Sequence, residues 1–200
     1  MPVRIYLADL THTGLGIATE AFPLNIGLIA AYAKKRFGQQ IDVRLFKLPE
    51  ELSQAIVEQP PHILACSNYT WNTNLAYHFA QQVKAIDPRI ITVFGGTNYP
   101  FEPENQRRFL ARRPDLDLHT FYEGERAFAH VVERYLSVRR PSEMCEAPIP
   151  GCQFVRKPSG EFIAGGDVSR FSTLDEIPSP YATGLLDKFF NCAFTPLLET

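Results

Sequence analysis

The fold is decided by one stretch. It runs His62-Ile63-Leu64-Ala65-Cys66, then a polar patch Ser67-Asn68-Tyr69-Thr70-Trp71-Asn72-Thr73-Asn74. A segment to Ile86 follows, then Asp87-Pro88, then Arg89-Ile90-Ile91-Thr92-Val93-Phe94-Gly95-Gly96. The two short apolar runs, each bounded by turn residues, predict buried strands. The segment between them predicts a helix that the Asp-Pro pair ends. A strand, a crossover helix and a second strand make a parallel βαβ unit.

The same alternation extends in both directions. Val3 to Leu7 predicts a first strand ending at Asp9, and a long Thr- and Gly-containing loop runs to Phe22. Pro23 opens a helix to Phe37, with Lys34, Lys35 and Arg36 at its negative end and Gly38 as its stop. Ile41 to Leu48 predicts the second strand and Pro49 to Glu58 a helix stopped by Pro60-Pro61. Glu102 to Arg112 predicts a helix, Leu116 to Tyr122 the fifth strand, and Ala127 to Val138 the last helix of the series.

Five alternations predict an α/β, doubly wound, Rossmann-like domain over residues 1–138. Its five parallel strands are expected in the flavodoxin-type order 2-1-3-4-5. In that order a ligand sits beyond the carboxyl ends of the strands, between the first and third. Residues 139–200 read as a linker with a hairpin. Its strands are Cys152 to Val155 and Glu161 to Ile163, around Lys157-Pro158-Ser159-Gly160. A helix is expected over Tyr181 to Phe190 and an extended apolar end over Phe194 to Thr200.

Composition narrows the functional classes. The chain has 200 residues, 20 Lys+Arg against 22 Asp+Glu, and 45% hydrophobic residues. Disorder needs lower hydrophobicity and a larger net charge. Nucleic-acid binding normally brings a basic excess, which is missing. The pairs Arg107–Arg108, Arg112–Arg113 and Arg139–Arg140 read as solvated helix faces. No apolar run is long enough to span a membrane, and the N-terminus lacks the apolar core of a signal peptide. Cys66, Cys145, Cys152 and Cys192 show no zinc or cluster spacing, which suits a reducing, cytoplasmic setting.

Three loops converge on the predicted ligand edge. Thr11, His12, Thr13 and Gly14 supply hydroxyls and close backbone amides after the first strand. Ser67, Asn68, Tyr69 and Thr70 follow the third, beside the only tryptophan, Trp71, and a ligand with a flat ring and polar edges would suit them. The alternative is that Trp71 is core and Asn72 or Thr73 caps the next helix. Gly95 and Gly96, followed by Thr97 and Asn98, end the fourth strand. A glycine pair there admits a ligand close to the backbone or serves a turn of positive φ.

Four segments together resemble the cobalamin-binding domain that precedes the catalytic domain of radical S-adenosylmethionine enzymes. They are Phe22 to Tyr32 with Pro23-Leu24-Asn25-Ile26-Gly27 at its start, Ser67 to Asn72, Val93-Phe94-Gly95-Gly96-Thr97-Asn98-Tyr99-Pro100, and Tyr122-Glu123-Gly124-Glu125-Arg126-Ala127-Phe128. Leu174 to Tyr181 resembles the linker that leads into the radical domain. The resemblance implies cobalamin as cofactor. It places the three loops and Glu123, Gly124 and Glu125 around the corrinoid. It further implies a methyltransferase whose [4Fe-4S] cluster and S-adenosylmethionine belong to a domain expected beyond Thr200, so that the present segment alone is inactive. Family members with a lower histidine ligand carry Asp-x-His-x-x-Gly, whereas this chain reads Asp9-x-x-His12-x-Gly14. His12 is therefore a cobalt-ligand candidate out of register, and a loop histidine bonded locally is the favoured reading.

The main alternative is a flavodoxin-like flavin mononucleotide module, because Thr11-His12-Thr13-Gly14 resembles its phosphate loop. In that family, however, the loop runs straight into a helix whose amides cradle phosphate. Here the helical pattern waits until Pro23. A phosphate receiver is disfavoured because the third strand ends without an aspartate. A non-catalytic interaction domain of the same fold stays open.

Overall fold

The structure, a computed structural model, describes residues 1–13, 21–138, 140–190 and 198–199. Strands β1 (Val3–Ala8), β3 (Ile41–Phe46), β4 (Ile63–Ser67), β5 (Ile91–Gly95) and β6 (Leu118–Thr120) pair in parallel in the order β3-β1-β4-β5-β6. This is the expected 2-1-3-4-5 arrangement. Between the strands run α1 (Leu24–Phe37), α2 (Pro49–Glu58), α3 (Thr73–Ile86) and α4 (Pro103–Ala111), and α5 (Gly124–Ser137) follows β6.

Side chains alternate across each strand and so build two cores. Ile5, Leu7, Ile63, Ala65, Val93 and Leu118 meet α1 and α5 on one face. Tyr6, Ala8, Leu64, Cys66 and Phe94 meet α2, α3 and α4 on the other. Among the described residues no helix is long and apolar enough to cross a membrane.

The structure corrects the expected architecture in three places. The sheet has seven strands rather than five, because the hairpin β7 (Cys152–Arg156) and β8 (Glu161–Ala164) adds to β6 antiparallel. Cys152 and Phe154 are buried in the α1/α5 core, and that burial draws the hairpin onto the edge. Helix α5 starts at Gly124, earlier than Ala127. Tyr122 takes a positive φ of 59° and turns the chain out of the strand before extended Glu123. Residues 180–186 are turns, and only α6 (Asp187–Phe190) is helical there. Pro178, Pro180 and Gly184, whose φ is +72°, oppose a longer helix. Of the expected extended end, β9 (Leu198–Glu199) pairs in parallel with a two-residue strand β2 (Ala21–Phe22). Cys192 and 194–197 lie outside the described residues.

Candidate functional site

A cavity of about 390 Å³ opens over the carboxyl ends of the strands. Leu7 of β1, Ala65 of β4 and Val93 of β5 contribute its floor, and Asn25, Ile26 and Ile29 of α1 face Gly124, Glu125 and Phe128 of α5 across it. The size falls in the range of about 300–1,000 Å³ usual for small-molecule sites, and the mix of an apolar floor with few polar groups is also typical of them.

The rim is held by bonds between loops. Asn68 N–H donates to the Gly95 carbonyl at 2.6 Å, and Asn98 N–H donates to the Asn68 carbonyl at 3.1 Å. The buried Asn68 amide donates to the Asn98 carbonyl at 2.6 Å. The glycines permit this approach. Gly96 has φ +123°, and a Cβ there would lie 2.9 Å from the Asn68 carbonyl oxygen. A Cβ at Gly95 would collide with the Thr120 hydroxyl. The positive-φ turn reading therefore holds at Gly96, and both residues also line the cavity.

Beneath the rim lies a buried polar node. Asp9 receives Lys47 Nζ at 2.9 Å and the Ser67 hydroxyl at 2.5 Å. The Asn72 amide donates to the Ser67 hydroxyl and to the Leu10 carbonyl, each at 3.3 Å. Asn72 Oδ1 accepts from Tyr69 N–H at 2.8 Å. This folds the Ser67 to Asn74 loop back on itself before α3, so Asn72 organises the loop rather than capping the helix with its side chain.

Trp71 is not core. It is 57% exposed and lies flat on Tyr69, with ring centres 4.5 Å apart and planes 11° from parallel. The Tyr69 hydroxyl accepts from the Asn25 amide at 3.0 Å, and burial, with the Asp9 charge, raises its pKa and keeps it neutral. Phe101 and Tyr122, 79% and 61% exposed, line the cavity as well. Exposed aromatics gathered around one opening mark a surface suited to a partner or ligand.

The other candidates have local duties. Thr11 is buried and its N–H donates to the Lys47 carbonyl at 3.1 Å. His12 Nε2 lies 2.8 Å from the Trp71 carbonyl. A carbonyl only accepts, so Nε2 is the donor in this contact. The Thr13 hydroxyl donates to Glu50 at 2.5 Å, which holds that carboxylate below its ordinary pKa. Gly14 lies outside the described residues. Burial, and then the neighbouring charge of Glu123, raises the Glu125 pKa.

The cavity thus gathers Ser67, Tyr69, Gly95, Gly96, Thr97, Gly124 and Glu125. Thr11, His12, Thr13, Asn68, Thr70, Asn98 and Glu123 do not line it. Asn25, Phe101 and Tyr122 do line it and were not expected from the residue pattern; Asn25 and Tyr122 lie inside the segments that carry the family resemblance, but nothing in the chain marks their direction. Among the described residues no three His, Cys, Asp or Glu side chains are placed to hold a metal ion.

Residues 13–132 match the family model described as the B12 binding domain. The chain belongs to that family. This B12-binding domain is 32% identical over 171 residues to the cobalamin-dependent radical SAM methyltransferase TokK of Streptomyces tokunonensis, a span of 82% of this chain and 24% of that protein. It is 30% identical over 177 residues to 2-(S-pantetheinyl)-carbapenam-3-carboxylate methyltransferase of Streptantibioticus cattleyicolor, spanning 85% of this chain and 24% of the relative. The chain therefore spans about a quarter of the length of these relatives. In fold it resembles the cobalamin-dependent S-adenosylmethionine radical enzyme OxsB, solved with aqua-cobalamin and S-adenosylmethionine bound. The TM-score is 0.69 at 19% identity, over 94% of this chain and 25% of that one. The flavin alternative gains no support from these matches.

The residues of this B12-binding domain fit its cofactor. At about 390 Å³ the cavity between α1, α5 and the strand ends has the room for part of a large cofactor rather than for a whole corrinoid. Its two rim glycines let the Asn68 backbone and the Thr120 side chain pack directly against the chain that lines it.

Proposed function

We propose that the domain holds cobalamin with the nucleotide tail in the cavity and the corrin ring across the exposed aromatic rim. The observation that carries this reading is the cavity itself, at the expected sheet edge in a member of the B12-binding family. Ser67 and Tyr69 would meet polar groups of the tail. Gly95 and Gly96 would let it pass against the backbone, and Thr97, Gly124 and Glu125 would close the slot opposite. Thr11, Thr13, Asn68 and Asn98 would act by holding the rim. When bound, the cofactor supplies cobalt able to carry a methyl group. The protein orients it and keeps water from the slot.

We further propose that the domain serves a longer cobalamin-dependent radical S-adenosylmethionine enzyme, a methyltransferase. Its [4Fe-4S] cluster and S-adenosylmethionine would be bound by another region of the same protein. Cytoplasmic residence follows on this reading, because Cys66 and Cys152 are buried thiols and Cys145 is a free one.

The test is direct. Protein mixed with hydroxocobalamin and desalted is expected to retain a red-orange chromophore, with flavin mononucleotide lost under the same treatment. Retention of flavin, or of neither, refutes the reading. His12→Ala is expected to leave the cobalamin spectrum unchanged, since His12 does not line the cavity and its ring is held locally on the Trp71 carbonyl; a shifted spectrum would make His12 the lower ligand.

A further inference from the structure

Helix α1 is held on two sides. Its inner side gives Asn25, Ile26 and Ile29 to the cavity. Its outer side carries a run of later residues. Phe171 meets the Tyr32 ring edge-on at 5.2 Å, and the Glu176 carbonyl accepts from Lys35 Nζ at 2.8 Å. A methyl at Gly27 would lie 3.0 Å from Leu186 and 3.2 Å from Pro180, so this segment packs close against the helix. Tyr181 and Phe190 stack near Phe22, just before the helix, at 5.8 and 5.0 Å.

The same segment is fastened to α5, the opposite wall. Arg126 follows Gly124 and Glu125 directly in the first helical turn. Its guanidinium donates to the Ser169 hydroxyl at 2.5 Å and to Glu176 at 3.1 Å, and it covers the Phe171 ring at 4.2 Å. Arg126 is only partly exposed, its ion pair is supported by a neutral hydrogen bond and a ring, and Arg is the cation suited to such a fork. One side chain therefore ties the strap to α5 while Glu176, through its carbonyl, ties it to α1.

We propose that residues 169–190 are a strap that fixes the spacing of α1 and α5, the cavity's two helical walls, and that Arg126 is the positioning residue that latches it. The strap lines no part of the cavity. The ligand half of this proposal rests on the cobalamin reading. Coupling is reciprocal: if the docked strap favours the ligand, the ligand favours the docked strap by the same factor. The folded cofactor module on this view includes residues 140–190 rather than ending at 138.

Hydrogen exchange of the 200-residue chain tests this without ligand. Arg126→Met is expected to speed exchange in residues 169–190, in 24–29 and in 124–128, with Arg126→Lys intermediate. Val83→Ala, which opens the opposite core, is expected to leave all three segments unchanged. Faster exchange in the strap without change in the helix starts overturns the proposal. With hydroxocobalamin, wild type is expected to show slowed exchange in the strap. Arg126→Met should bind about fivefold to tenfold more weakly, a coupling of ordinary size. Unchanged affinity in Arg126→Met, when wild type binds, overturns the strap and leaves the cobalamin reading intact. If wild type fails to bind, the cobalamin reading falls and the ligand-free exchange still decides the strap. Should Arg126→Met not fold, Phe171→Ala on the same contact gives the same comparison.

Discussion

His119 makes the stability of this domain depend on pH in a way that one substitution should remove. It lies in β6, paired with Gln153 of β7, on the face opposite the cavity floor. It is fully buried, and its ring lies flat on Tyr99 with centres 3.6 Å apart. Among the described residues neither ring nitrogen has a hydrogen-bond partner. Burial, with the Arg113 charge adding to it, drops the His119 pKa from 6.5 to about 3. The sign follows from which state binds the proton first. As pH falls below about 6.5, the unfolded chain is protonated there and the folded one is not, so stability is lost at up to about 1.4 kcal/mol per pH unit. Integrated from neutral pH, the loss is about 2 kcal/mol at pH 5. His119→Phe keeps a ring against Tyr99 and removes the titration. Urea unfolding followed by circular dichroism at pH 7.5, 6.5, 5.5 and 5.0 gives the difference between the two proteins. That difference is expected to move by about 2 kcal/mol in favour of the variant between pH 7.5 and 5. Carboxylates, and His62, whose pKa burial and Arg4 also lower, are common to both and cancel. A constant offset across the pH series would show that His119 is not held neutral, and the argument from its burial would fail.

Two further substitutions probe the rim. Gly96→Ala places a Cβ against the Asn68 carbonyl in a backbone conformation that L-residues avoid. A loss of about 2–3 kcal/mol in stability and a weaker hydroxocobalamin titration are expected. Gly160→Ala has a positive φ but open space and should cost only about 1 kcal/mol, so equal costs would refute the contact. Asp9→Asn leaves Lys47, 10% exposed at its side chain, without its countercharge, and is expected to cost about 3–5 kcal/mol by urea unfolding. A loss under about 1 kcal/mol would mean that the pair is not holding the rim.

The strand order was legible because the central parallel strands β4 and β5 are buried on both faces and so read as apolar runs with turn residues at their ends. His62 to Cys66 and Arg89 to Phe94 needed only that rule, and the ligand edge followed from the order they imply. The hairpin strands were also legible from Lys157 to Gly160. Their attachment to β6 was not, because Phe154 finds its core through residues far away in the chain.

The site was legible as a place and much less as a set of contacts. A polar residue after a strand can face a ligand or tie one loop to the next, and its type does not say which. Asn68 and Ser67 adjoin in sequence. Asn68 spends its amide on Asn98, thirty residues on, while Ser67 reaches back fifty-eight residues to Asp9 and still lines the cavity. The same holds for the strap, whose latch joins Arg126 to Glu176 across fifty residues. These long-range polar bonds decide which side chains stay free for the cofactor. Those that line the cavity with no side-chain bond to another residue among the described residues, Thr97 and Glu125 among them, are then where substitutions should alter cofactor affinity with least effect on folding. Changes at Asp9, Asn68 and Gly96 should reach the cofactor only by disturbing the rim.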